Sequence, residues 1–326
     1  MSSSADNFVN LHVHTHYSIL DGAAKISELV EHVARIGQPA VGITDHGNMH
    51  GAYEMWSAAV SAGIKPIIGI EAYETPETAR GDKTKIRWGT AEQRSDDVSG
   101  GGAITHTTLW AENDEGLTNL IKASSIANLE GRAGKWPRMD RDVLNRHSKG
   151  VIATSGCPSG IVQTRLRLGQ YDEALRAAGE HQDIFGKDNY FIELMDHGLN
   201  IEKKVRRQLL EIADKIGAPL VVTNDSHYVT AEGAAAQDAM LCINSGSKLD
   251  DPNRFKFDGS GYYLKTSDEM RALFKEFPQA CDNTLRIAER CNVIFDDHED
   301  GAFMPSFDCP EGWDETSLFL RKVWEG

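Results

Sequence analysis

Phe8-Val9-Asn10-Leu11-His12-Val13-His14 reads as a buried strand that ends in two histidines. Residues two apart on a strand point to the same face, so His12 and His14 can grip one ion together. Neutral imidazole is a common ligand of borderline transition metals. Alone the pair is a weak signal, because His-x-His also occurs by chance. Its weight depends on what the rest of the chain places at the ends of further strands.

Working outward, apolar runs at 40–44, 66–71, 104–110, 150–154, 190–195 and 219–223 join 8–13 as strands and alternate with helical patterns. That alternation predicts repeated β-α units and a parallel sheet. Ile26, Leu29, Val30, Val33 and Ile36 form an apolar stripe at helical spacing, stopped by Gly37 and Pro39. Ile201, Val205, Leu209, Ile212 and Ile216 repeat the pattern before Gly217 and Pro219. A further helix starts near Asp114 and turns Leu117, Leu120 and Ile121 inward. Seven such units predict a closed or nearly closed α/β barrel. The alternative, an open doubly wound sheet, would need a glycine-rich phosphate loop. Neither G-x-G-x-x-G after the first strand nor G-x-x-x-x-G-K-[ST] occurs.

Composition narrows the class. At 326 residues, 40% hydrophobic and 25% charged, the chain exceeds the usual single domain, so we expect a barrel over 1–235 and an extension over 236–326. No apolar run approaches the roughly 20 residues that span a bilayer. The segment Met1–Asp6 has neither a basic region nor a long apolar core, so a cytoplasmic protein with no membrane partner is expected. Five cysteines without a Cys-x-x-Cys pair argue against a disulfide framework or zinc ribbon. A net charge of −15 argues against a broad basic face for nucleic acid. Either the substrate is small, or DNA is delivered by a partner or by another part of a larger protein, or bound cations offset an acidic pocket.

In a barrel, chemistry gathers at the C-terminal ends of the strands. The first expected strand ends in His12 and His14, with Asp21 shortly after, and the second in Thr44-Asp45-His46-Gly47. The third ends in Glu71, the fourth carries His106, and the fifth ends in Thr154-Ser155-Gly156-Cys157. The sixth ends in Glu193 with Asp196 and His197, and the seventh in Asn224-Asp225-Ser226-His227. Each residue also has a plainer reading. A single histidine at a strand end is more often a hydrogen-bonded structural residue, Cys157 alone would be a packed thiol, and Asp45 and Asn224 could cap helices. Glu71 differs, because an unpaired carboxylate closing so apolar a strand is costly. His16, Glu193, Asp196 and His197 are placed behind the ligands, orienting them by hydrogen bonds, with surface or core roles as the alternative. Residues 80–102, rich in glycine and charge, read as a surface loop that covers the site or is a tolerated insertion.

These segments resemble the polymerase and histidinol phosphatase (PHP) family. The resemblance rests on His12-Val13-His14-Thr15, Tyr17–Gly22, Thr44–Gly47, Ile67–Glu71, Gly156–Gly160, Glu193–Gly198 and Thr223–Tyr228. Asp251–Phe255 and Tyr262–Leu264 extend it toward the branch found in bacterial replicative DNA polymerases. It implies a distorted seven-stranded (β/α)7 TIM-like barrel with a helical C-terminal extension. It also implies a ligand set of His12, His14, Asp21, His46, Glu71, His106, Cys157, Asp225 and His227 for up to three divalent metals. Zinc fits the cysteine and histidine positions, and manganese or magnesium fits the carboxylates.

The implied activity is metal-dependent phosphodiester hydrolysis at a DNA 3′ end, a 3′-5′ proofreading exonuclease with Glu71, Asp225 and His46 as its catalytic residues. The implied partners are a primer 3′ end, the remainder of a polymerase alpha chain and the replisome. The segment ending in Trp324-Glu325-Gly326 resembles the approach to a polymerase palm, so no DNA synthesis is expected from this chain alone. Two rivals stand beside this reading. One is a small phosphomonoesterase of the histidinol-phosphatase type, and the other a non-catalytic scaffold that stabilises a polymerase.

Overall fold

A computed structural model describes residues 7–90, 101–295 and 307–326. Seven strands form its sheet: β1 (Ala40–Ile43), β2 (Lys65–Glu74), β3 (Thr105–Ala111), β4 (Arg138–Met139), β5 (Val151–Thr154), β6 (Tyr190–Leu194) and β7 (Leu220–Val222). The order is β1-β2-β3-β5-β6-β7, with β4 paired to the end of β2. The fold is a distorted TIM-like barrel.

Residues 8–13, expected as a full strand, make only single bridges, Asn10 to Val41 and Val13 to Ser226. They nevertheless close the barrel. Gly42 and Thr44 donate to the carbonyls of Asn10 and Val13 on one side, while His14 N–H donates to Ser226 and Ser226 N–H to His12 on the other. Gly42 makes this approach possible, since a Cβ there would lie 2.1 Å from the Leu11 carbonyl oxygen.

The all-parallel expectation fails at one strand. β3 runs antiparallel to both β2 and β5, whereas β1/β2, β5/β6 and β6/β7 are parallel. The reversal means that the start of β3, not its end, lies at the C-terminal rim. His106, paired with Tyr73, thus reaches the same rim as Glu71.

Alternation along the strands builds the interior in layers. Ile67, Trp110, Ile152, Phe191 and Val221 pack at the bottom with Val9 and Leu11. Each such side chain taken out of water contributes roughly 1.5–3 kcal/mol. Two residues further up the staves come Thr108, Thr154, Glu193 and Thr223, all buried. The top carries Glu71, His106 and Asp225.

Helices cover the outside. α1 (Ile26–Arg35), α2 (Ala52–Ser61), α3 (Asp114–Leu129), α4 (Arg141–Arg146), α5 (Ile161–Arg167), α6 (Tyr171–Phe185) and α7 (Asn200–Ile216) follow the chain between strands. The Asn113 side chain caps α3 by accepting from Gly116 N–H, and Leu117 and Leu120 are buried as expected, but Ile121 is exposed. Gly217, left-handed at φ 66°, ends α7.

After β7 come α8 (Ala234–Ser245), α9 (Ser267–Leu273) and α10 (Pro278–Arg290). Ile287, Ala288 and Cys291 plug the bottom of the barrel, so this part of the extension completes the same core. The compact unit runs to Ile294. A second unit from Phe295 onward contains α11 (Glu315–Glu325), capped by Asp314 accepting from Ser317 N–H. Of the surface loop expected at 80–102, residues 91–100 lie outside the described residues.

Candidate metal centre

The nine candidate ligands converge at the top of the barrel. His12 Nε2 lies 3.3 Å from Glu71 and 3.4 Å from Asp225; His14 Nε2 lies 3.0 Å from Asp225 and 3.7 Å from Glu71. His46 bridges Glu71 at 2.5 Å and Asp21 at 3.1 Å, and His227 Nε2 lies 3.7 Å from Asp21. His106 Nδ1 lies 3.1 Å from Glu71 and 3.5 Å from Cys157 Sγ. Within this ring, three overlapping trios have donor atoms within 4.8 Å of one another: His12-His14-Glu71, His14-His46-His227 and His46-Glu71-His106. Asp21, Cys157 and Asp225 join these trios through the pairs above.

Local structure fixes which nitrogen faces inward. His12 Nδ1 donates to Glu193 at 2.8 Å, and Glu193 also accepts from the hydroxyls of Thr108, Thr154 and Thr223. His14 Nδ1 donates to Ser18 Oγ at 3.0 Å, whose hydroxyl donates on to Asp45 at 2.6 Å. His227 Nδ1 donates to the Asp225 carbonyl at 2.8 Å. The Nε2 atom of each of these three rings is therefore left for the centre. Asp225 holds a left-handed backbone at φ 44°, rare for a residue with a Cβ, and that conformation aims its carboxylate at His12 and His14. Gly156, at φ 79°, lets the Cys157 turn pass the His106 carbonyl, which a Cβ would meet at 2.4 Å.

Buried polar atoms without a hydrogen-bond partner cluster here: Nε2 of His12, His14 and His227, His46 Nδ1, both Glu71 oxygens and Asp225 Oδ1. Such groups are costly unless satisfied. Lone pairs aimed at one another across about 3 Å are satisfied by a cation between them, so the donor set fits divalent metal ions.

Crowded charge moves the ring's groups in both directions: His14 and Asp21 toward their metal-binding forms, His12 and Cys157 toward protonated ones. Burial, reinforced by His46 and His227, pulls His14 down to about 3, which keeps its imidazole neutral. Burial works against protonation of His12, but Asp225 and Glu193 outweigh it and hold its value well above the ordinary one. Burial would raise Asp21, yet hydrogen bonding to His46 and the charge of His227 bring it down to about 2. Burial, then Glu71 and Asp225, push the Cys157 thiol up.

Of the four residues expected behind the ligands, Glu193 alone touches one. His197 donates to Glu202 and meets the Asn224 carbonyl while stacking on Tyr262; Asp196 pairs with Arg206; His16 is exposed beside Tyr17. Asp45 and Asn224 do not cap helices. Asp45 accepts from Thr15 and Ser18, and Asn224 clamps the extension through Gly261, Tyr263 and Lys265. The sequence assigned no role to Ser18, Thr108, Thr154 or Thr223, although Thr154 stands at an expected strand end. A polar residue on the inward face of an otherwise apolar strand was the signal for Thr108, Thr154 and Thr223.

The PHP domain profile matches residues 10–197, and the chain belongs to the PHP domain family. It is 54% identical over 326 residues, its whole length, to DNA polymerase III subunit alpha of Mycobacterium tuberculosis. It is 56% identical, over 98% of its length, to DNA polymerase III subunit alpha of Saccharopolyspora erythraea. The chain spans 27% of the length of each of these relatives. Among solved structures it is similar to an amidohydrolase from Chromobacterium violaceum at 18% identity and a TM-score of 0.38, covering 68% of this chain and 87% of that one. No helix among the described residues is long and apolar enough to cross a membrane.

Proposed function

We propose that this chain is a metal-dependent phosphodiester hydrolase acting at DNA 3′ ends, a 3′-5′ proofreading exonuclease carried by a replicative polymerase alpha chain. The observation that carries the reading is the convergence of unpartnered buried lone pairs from His12, His14, His46, Glu71, Asp225 and His227 on one spot at the barrel rim. Asp21, His106 and Cys157 complete the set that would hold up to three ions, zinc or manganese by ligand type and magnesium at the carboxylates. Bound divalent ions would offset phosphate charge and act as Lewis acids at phosphorus.

The chain's own residues prepare that chemistry. Glu71 reaches His12, His14, His46 and His106 at once, so its carboxylate would help to hold any ion bound among these histidines. Glu193 and the Ser18–Asp45 relay hold His12 and His14 in the tautomer that presents Nε2. His46 lines the cleft beside the ring, and Asp225 lies within 3.4 Å of both His12 and His14, the positions from which each would act on a bound phosphate. Relatives that are polymerase alpha subunits support a primer 3′ end as the substrate, with the rest of the alpha chain and the replisome as partners and the cytoplasm as the location.

Digestion of a 3′-mismatched primer by wild type and Asp225→Asn tests the proposal. Wild type supplied with manganese or zinc should shorten the primer from its 3′ end. The variant should lose more than the ~100-fold typical of disturbing a ligand's neighbour. Equal, slow degradation by both proteins would leave the scaffold reading, and cleavage of phosphomonoesters only would leave the histidinol-phosphatase reading.

A further inference from the structure

Beside the metal ring opens a cleft of about 750 Å³, lined in part by the candidate ligands Asp21, His46 and His106. That volume lies within the ~300–1,000 Å³ of small-ligand sites, roomier than a lone phosphate needs and too small for a paired helix. The loop between α3 and β4 supplies Arg132, Lys135 and Trp136 to its lining, and the segment after α8 supplies Phe255. Asp21 is the only carboxylate among the described lining residues, in a chain whose net charge is −15. The walls are thus locally cationic and aromatic where the molecule as a whole is acidic.

The loop is held in shape. Arg138, fully buried, donates to the carbonyls of Gly131, Ala103, Arg80 and Asp82, fixing the base of the loop. Ala133 and Trp136 exchange main-chain hydrogen bonds across its tip. Lys135 Nζ is tethered to Asn244 Oδ1 at 2.9 Å and sits 5.9 Å from the Trp136 ring centre. Phe255 is 59% exposed, and its ring meets Phe257, which in turn packs edge-on against the ligand ring of His227. An aromatic path therefore descends from the rim to the metal ring.

We propose that Trp136 and Phe255 are stacking platforms for the last bases of a single nucleic-acid strand, whose phosphates Arg132 and Lys135 hold so that its end reaches the metal ring. The proposal rests on the hydrolase reading above and names how that site takes its substrate. Flat rings accept the face of any base, and cations on the wall track the backbone, the combination that binds single strands without reading sequence. Bases locked in a duplex cannot offer their faces this way, so the seat selects a frayed end.

Fluorescence anisotropy of a short 5′-labelled DNA strand with 3′-terminal phosphorothioate linkages, with manganese present, tests it. Trp136→Ala should weaken binding by about tenfold or more, and Trp136→Phe should stay within about threefold of wild type. Lys135→Gln should flatten the slope of log affinity against log salt by about 0.7, whereas Lys122→Gln, on the exposed face of α3, should leave it unchanged. Wild-type affinity in Trp136→Ala, equal slopes for the two lysine variants, equal binding of a blunt duplex, or no strand binding by wild type would each overturn the proposal. Hydrolysis is read separately on an unmodified strand. The affinity pattern without hydrolysis removes the hydrolase reading, and hydrolysis without the pattern removes the stacking seat.

Discussion

Replacing Glu193 with glutamine changes one charge at the centre of the barrel and almost no volume. The carboxylate is wholly buried and accepts from His12 Nδ1 at 2.8 Å, Thr223 at 2.6 Å, Thr108 at 3.2 Å and Thr154. A glutamine can turn its oxygen to His12 and Thr223 and its amide toward Thr108 and Thr154, whose hydroxyls can rotate to accept. The fold should survive with a loss of about 1–2 kcal/mol, as charge-assisted bonds become neutral ones. Glu193→Ala instead strands four donors and should lose about 3–5 kcal/mol. The decisive effect of Glu193→Gln is on the metal. Without the charge behind Nδ1, His12 is a weaker base at Nε2, and the affinity for the first ion should fall about 10–100-fold, or about 1.4–2.7 kcal/mol. Competition with a metallochromic chelator measures this, with urea unfolding as the control on the fold. Unchanged metal affinity in a folded Glu193→Gln protein would refute the reasoning, because His12 would then not be a ligand oriented by Glu193.

Further predictions concern closure of the barrel and the pH dependence of stability. Gly42→Ala puts a methyl 2.1 Å from the Leu11 carbonyl oxygen and should cost about 3 kcal/mol or more, read from urea unfolding; a loss under about 1 kcal/mol would mean that the N-terminal stave yields easily. Away from the metal ring, His181 Nε2 and Glu74 pair at 2.8 Å in the interior. Burial opposes the charge on each, but each raises or lowers the other enough that His181 titrates above its ordinary value and Glu74 below its own. The His181 contribution is full below about pH 6.5 and is lost as pH rises through the raised folded value; the Glu74 contribution is present above about pH 4.5 and is lost as pH falls through the lowered one. Wild type with chelator should therefore lose stability as pH rises above about 6.5 through the raised folded value of His181, and His181→Gln should flatten that decline. A decline of the same size in the variant would remove this pair as its cause.

Much of this architecture was readable from residue order. Apolar runs and helical stripes located most staves, because burial on both faces leaves a continuous hydrophobic signature. Direction was not readable. The run 104–110 looks like any buried strand, and its reversal is set by neighbours on both sides, which pair through main-chain groups that carry no sequence mark. The N-terminal stave was read as a regular strand because its composition is that of one. Its bridges are single, with Asn10 paired to Val41 and Val13 to Ser226, while Leu11 joins the core and His12 meets Glu193. Candidate ligands were legible because charge at the end of an apolar strand is conspicuous. Their supports were not, since a serine or threonine is common anywhere, and only the folded layers show that Thr108, Thr154 and Thr223 surround one carboxylate. Asp45 shows the same limit from the other direction. An acid just before a helix resembles a cap until the structure places Thr15 and Ser18 against it.

Metal content tests the central claim most directly. The wild-type chain, dialysed against zinc or manganese and then against metal-free buffer, should retain at least one and up to three divalent ions by mass spectrometry. Glu71→Gln, which removes charge from the residue that touches four of the histidines, should retain far less with its circular dichroism unchanged. A folded wild type that holds no ion, or a Glu71→Gln protein that holds as many, would contradict the account.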